Sequence, residues 1–264
     1  METTISIGMM SKVWFFTLSI LCAACQAPIS YINNLPQVSG LSERGDLSIQ
    51  ANWGADATFE NPVYDLDLAK ALTKNLGLKS HFTFGSKRHY FDQLSYLDLS
   101  LVYFGKSSTG MKYEIISGFG AGFLRASSTN FADPYDHHCS CGGLPPVDFS
   151  DSDYTAITKS KKFLLQPSIS MPLNLTDVNS HLNLGLRAQL VDFSSYYFEQ
   201  NYKILYNKPI TTILLDPFIS VDQQFGKVGA QLMAGYSLNL GDRSAHPVYS
   251  KLYTSVGLFL RISK

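Results

Sequence analysis

The residues best equipped for chemistry stand together at His137-His138-Cys139-Ser140-Cys141, which puts two imidazoles and two thiols within five positions. Imidazole and thiolate are the ligand types of zinc and copper. Structural zinc sites separate paired cysteines by two or more residues, and ligands this crowded do not close a tetrahedron easily. No metal is therefore expected, and His137, His138, Cys139 and Cys141 are only the weak candidates for one. An oxidised Cys139–Cys141 pair would suit an exported protein, although a ring across one intervening residue is strained. Two free thiols are the third state, and all three stay open. Acid–base groups also occur at His89, Asp92, Asp192 and Asp216, and Ser80 precedes His81, but no nucleotide loop, zincin motif or Gly-x-Ser-x-Gly elbow is present. No catalytic residue and no cofactor are expected from these patterns.

A second set of polar groups is spaced along the chain with a period of two. In Asp46-Leu47-Ser48-Ile49-Gln50-Ala51-Asn52-Trp53 every odd position is apolar and every even one polar, and the even positions from Leu252 to Ile262 make another apolar stripe. Alternation of this kind places successive side chains on opposite faces of a strand. The same test finds ten segments: 46–53, 63–72, 76–85, 94–104, 111–124, 161–173, 181–193, 211–223, 228–240 and 251–262. On the apolar side fall Leu97, Leu99, Leu101, Tyr113, Ile115 and Phe119. On the polar side fall Asp46, Gln50, Asn52, Asp65, Asp67, Lys79, His81, Asp98, Lys112, Glu114, Gln166, Arg187, Gln189 and Arg261.

Connections between the segments alternate strictly between short and long, the pattern of a barrel with short periplasmic turns and longer extracellular loops. Strands of about 9–11 residues match a tilted membrane crossing. The fold expected is all-β, an antiparallel up-and-down transmembrane β-barrel of about ten strands. Its polar faces would meet in the lumen, where desolvated charges must pair; Asp65, Asp67, Lys79, His81, Asp98, Glu114, Arg187 and Arg261 are expected to form that network. Ten strands lie just above the size that side chains can fill and well below the open porins, so a plugged or very narrow lumen follows.

Composition agrees with a membrane environment. The chain of 264 residues has 15 Tyr and 17 Phe but only 16% charged residues, as expected where rings line both membrane–water boundaries. Its 21 basic and 21 acidic side chains leave no net field to attract nucleic acid, and no nucleic-acid partner is expected. From Lys12 to Cys25 a basic residue, an apolar stretch and small residues read as a secretion signal. The expected division is a signal over 1–24, an N-terminal arm over 25–44 and the barrel over 45–264. The arm contains Pro28, Asn33, Asn34, Pro36 and Gly40 and keeps no steady period. It is expected to lie at one leaflet beside the barrel wall.

Ala23-Ala24-Cys25 resembles a bacterial lipoprotein signal, which implies lipidation of Cys25; ordinary cleavage after Ala24 would instead leave a free thiol. With the lead-in Glu43-Arg44-Gly45-Asp46, the hairpin from Asp65-Leu66-Asp67-Leu68-Ala69 to Leu76-Gly77-Leu78, and Gly257, Leu258 and Leu260 in the closing strand, the chain resembles the small outer-membrane β-barrel lipoproteins of diderm bacteria. It departs from them in ending Arg261-Ile262-Ser263-Lys264 without a terminal aromatic. The resemblance implies residence in the outer membrane, with its lipid as one partner and a larger outer-membrane protein complex as another. The role expected is non-enzymatic: envelope integrity, surface recognition or an accessory subunit. The alternatives are a narrow channel or transport component and a barrel hydrolase acting on peptide or lipid.

Overall fold

The computed structural model describes residues 35–56, 63–85, 93–128, 154–173, 179–200, 203–207, 210–240 and 252–263. Its strands are β1 (Leu47–Asp56), β2 (Val63–Ala71), β3 (Leu76–Gly85), β4 (Gln93–Lys106), β5 (Lys112–Ser128) and β6 (Tyr154–Leu173). They continue with β7 (Asn179–Gln200), β8 (Lys203–Asn207), β9 (Ile210–Phe225), β10 (Val228–Tyr236), β11 (Leu238–Asn239) and β12 (Leu252–Ile262). Ten of them close an antiparallel ring in chain order, sealed where β12 returns to β1 from Leu47↔Ile262 to Asp56↔Tyr253. The other two are appendages. β8 pairs with the far end of β7, and β11 prolongs β10 along β9 in the same register. The two pieces part beside Pro217, which has no N–H to give the ladder.

The alternation predicted from the sequence becomes an apolar exterior. Leu99 is 61% exposed, Phe119 70% and Leu258 65%, values that water would penalise and lipid rewards. Outward rings gather near both edges of this band. Tyr64 stacks on Phe84 at 5.3 Å near the loop end, and Tyr103 meets Tyr113 at 6.4 Å near the turn end. Girdles of this kind mark the two interfaces of a membrane barrel.

Several strands run past their expected ends on the loop side. β6 begins at Tyr154 rather than Lys161 and β7 continues to Gln200 rather than Phe193, with β8 in a stretch read as loop. Twenty and twenty-two residues exceed the 9–11 that a crossing needs. Tyr154-Thr155-Ala156-Ile157-Thr158 and Tyr196-Tyr197-Phe198 have strand-forming residue types. Past the bilayer edge no lipid requires an apolar stripe, so the alternation that marks a strand fades while the ladder continues.

One wall segment depends on absent side chains. Gly118, Gly120 and Gly122 of β5 lie against inward residues of β4: a β-carbon at Gly122 would stand 1.6 Å from Tyr96 Cδ1, and one at Gly120 1.9 Å from Asp98 Oδ1. Gly122→Val is expected to displace the buried Tyr96 ring and destabilise the barrel by about 1–3 kcal/mol, as overpacking does. A urea titration of the folded protein in lipid vesicles reads the shift, and an unmoved midpoint would contradict the position of the ring.

Candidate functional site: the lumen and its N-terminal arm

The lumen is filled by the chain's own arm. Leu35, Gln37, Val38, Ser39 and Leu41 are all buried inside the ring, which corrects the expectation of an arm beside the wall. Residues 35 to 39 are buried without alternation, so no period of two marks them as an inner element. Leu35 and Val38 pack with Phe218, Met233 and Tyr253, while Leu41 packs with Ala69, Ala71, Val102, Phe104, Ile116 and Leu164. The interior thus has an apolar layer towards each end, where a wholly polar lumen was expected. Each fully buried aliphatic side chain contributes about 1.5–3 kcal/mol.

Between these layers the arm is held through its backbone. The Gln37 carbonyl accepts from Lys79 Nζ at 2.9 Å and from Gln166 Nε2 at 3.0 Å. Glu114 accepts the Ser39 amide at 2.9 Å and the Ser39 hydroxyl at 2.6 Å. Buried backbone groups need such partners, and here side chains of the wall supply them. Gly40 has φ +70°, a conformation that favours glycine, and a β-carbon there would stand 2.4 Å from Arg261 Nε, so that side chain would have to shift. The arm then reverses into β1 through Ser42 to Asp46, where Asp46 Oδ2 accepts the Ser42 and Glu43 amides at 2.9 and 2.8 Å. Burial opposes ionisation of Asp46, but these bonds outweigh it and hold the carboxyl below its ordinary pKa.

Charged side chains of the wall form linked clusters around the arm. His81 sits between two carboxylates, with Nδ1 2.9 Å from Asp67 and Nε2 2.8 Å from Asp65. Only the doubly protonated ring can donate on both sides. Lys79 Nζ joins Asp67 at 2.9 Å, and the Thr83 hydroxyl donates to Asp65 while lying 2.9 Å from His81 Nε2. Thr83, His81 and Asp67 do not form a nucleophile–base–acid array, because the Thr83 hydroxyl donates to Asp65 and a doubly protonated His81 has no lone pair to take its proton; Thr83 is also fully buried. Asp98 pairs with Lys162 at 3.0 Å. Arg187 Nε meets Asp216 Oδ2 at 2.9 Å, and the same oxygen accepts Gln189 Nε2 at 2.6 Å. Arg261 reaches Asp222 at 3.0 Å, and Gln231 links Asp222 at 2.8 Å to Gln50 at 2.6 Å.

All eight residues expected to share a lumen network, Asp65, Asp67, Lys79, His81, Asp98, Glu114, Arg187 and Arg261, thus point inward, distributed over several clusters. Lys162, Asp216, Asp222, Gln231, Gln37 and Ser39 are further members that the sequence reading did not place there. Asp216, which the sequence offers only as one of several acid–base groups, is fully buried; its even position with Thr212, Ser220 and Asp222 on one strand is the available signal. Asp192 is partly exposed near the loop end, bonded by the Thr211 hydroxyl at 3.4 Å. Ser80 faces outward and His81 inward, so the two do not meet. Cys25, His89, Asp92, His137, His138, Cys139 and Cys141 lie outside the described residues.

No protein-family model matches the chain, and no curated protein matches its sequence. Solved structures do resemble it. The KdgM porin is 11% identical with a TM-score of 0.37, over 82% of this chain and 99% of that one. The translocator domain of autotransporter NalP from Neisseria meningitidis is 11% identical with a TM-score of 0.43, over 97% and 95%. LpxR from Salmonella typhimurium is 8% identical with a TM-score of 0.35, over 81% and 99%. At 8–11% identity the likeness is one of fold. One expectation is corrected here: that the protein is not an enzyme does not stand, because a closed barrel does not by itself decide between transport, binding and catalysis. The closed ring with its apolar outer band is that of a membrane-spanning β-barrel.

Proposed function

We propose that the protein is an outer-membrane lipoprotein barrel with a closed lumen, serving surface recognition or acting as an accessory subunit of a larger outer-membrane complex, and through that role envelope integrity. The observation that carries this reading is the arm bonded across the lumen, with the Gln37 carbonyl on Lys79 and Gln166 and Ser39 on Glu114. A ten-stranded ring has little room beyond its own side chains, and a strand of extra chain occupies it. A barrel so filled offers its surroundings its loops and its outer wall. The strand ends Val63, Gly85, Gln93, Ser128 and Tyr154, which border the longer connections, all lie at one end.

Planar bilayer recording tests the closed lumen. The full chain is expected to show no stable unitary conductance, and a variant lacking residues 35–41 is expected to show openings. Stable conductance from the full chain would overturn the reading in favour of a narrow channel. Extraction through a C-terminal tag in mild detergent then separates the two roles: a stoichiometric outer-membrane protein marks an accessory subunit, and a clean monomer directs attention to recognition by the loops.

A further inference from the structure

The arm has a direction, and the direction has a membrane side. β1 climbs from the turn end at Leu47 to the loop end at Asp56. Along the arm, Leu41 lies at the turn end, where its Cδ1 would stand 2.6 Å from a β-carbon on Gly77, beside Ala69 and Ala71. Leu35 lies towards the other end: its Cδ1 would stand 2.6 Å from a β-carbon on Gly54, and it packs with Tyr253, whose register partner is Asp56. The chain therefore descends the lumen from Leu35 to Leu41 before it turns into β1.

We infer that the chain ahead of Leu35 enters the barrel through the loop mouth, so that the segment beginning at Cys25 lies on the outer surface and the acyl chains of Cys25 insert in the outer leaflet. This rests on the reading of Cys25 as lipidated. The other route would return the chain to the turn end alongside the arm. The lumen there is packed with Leu41, Val102, Phe104, Ile116 and Leu164. A cavity at that end, lined by Gly40, Leu41, Lys112, Glu114 and Arg261, holds about 20 Å³, room for about one water and not for a second strand. The outward route is short. Gly54 lies two residues below the end of β1, a rise of about 7 Å, whereas the ten residues from Cys25 to Leu35 reach at most about 33–36 Å. That is enough to clear the mouth and return to the lipid beside the wall.

The experiment uses the full chain in its native membrane, with an epitope inserted after Ser30 and, in a separate chain, after Ser108 in the turn between β4 and β5. Heat-modifiable gel mobility confirms folding of each. The expected result is antibody binding at Ser30 that is the same in intact and permeabilised cells, and binding at Ser108 that is lost in intact cells. Binding at Ser30 only after permeabilisation would overturn the inference, whichever side the Ser108 epitope takes. Should the insertion block folding, Ser30→Cys in a chain carrying Cys139→Ser and Cys141→Ser gives the same readout with a membrane-impermeant maleimide. Radioactive fatty acid tests lipidation separately: label is expected on the wild-type chain and lost in Cys25→Ser. A wild-type chain without label would overturn the outer-leaflet anchor while the epitope result still decides the path of the arm.

Discussion

Replacing Arg187 by Met is expected to destabilise the barrel by about 3–5 kcal/mol, the cost of leaving a buried partner charge uncompensated. Arg187 and Asp216 are both sequestered from solvent, with the guanidinium Nε 2.9 Å from the carboxylate. Gln189 and the Ser237 hydroxyl also donate to Asp216, but neutral donors cannot replace the cation. The double replacement Arg187→Met with Asp216→Leu is expected to recover most of the loss, because an apolar pair in place of a buried ion pair is often close to neutral. Denaturant titration of the three variants and wild type in lipid vesicles measures the coupling. A single variant as stable as wild type would mean that water reaches Asp216 and that the lumen is open at that depth.

Leu99→Arg is expected to cost about 2–4 kcal/mol, whereas Leu240→Arg is expected to cost about 0–1 kcal/mol, following the depth dependence of charge on a barrel's lipid face. Leu99 lies near the middle of β4 and Leu240 just past β11 at the loop end. Both are about equally exposed, at 61% and 62%, so exposure alone predicts no difference and only a bilayer at the middle of the wall does. The same vesicle titration decides: equal effects would place the lipid band elsewhere. Reading parity alone, Asp98→Asn beside Leu99 would be a mild change. With Lys162 3.0 Å away and buried, neutralising Asp98 removes the carboxylate this cation meets and is no longer mild.

That difference shows what alternation can and cannot convey. It located the ten crossings and sorted Leu99 outward and Asp98 inward, because lipid imposes an apolar stripe on one face of every strand. Nothing comparable acts on the inner face, where Val102 and Phe104 follow Ser100 and Asp98 on the same side. Partners there are set by stagger between strands, so the pairing of Asp98 with Lys162 or Arg187 with Asp216 could not be read from either strand alone. The arm was harder still. Leu35, Val38 and Leu41 recur every three residues, a spacing that matches neither a strand nor a loop rule, and their burial is decided by a ring formed from the other end of the chain.

The arm's continuity with β1 also fixes an order of events. The ring is sealed by the first and last strands, Leu47 opposite Ile262, so closure joins residues far apart in sequence and is a slow, late contact. The turn from Ser42 to Asp46, by contrast, is local. The arm can thus fold back on β1 while the sheet is still open, and the last strand then zips shut over it. A seam that closes last would enclose the plug during assembly, with no need to insert it afterwards.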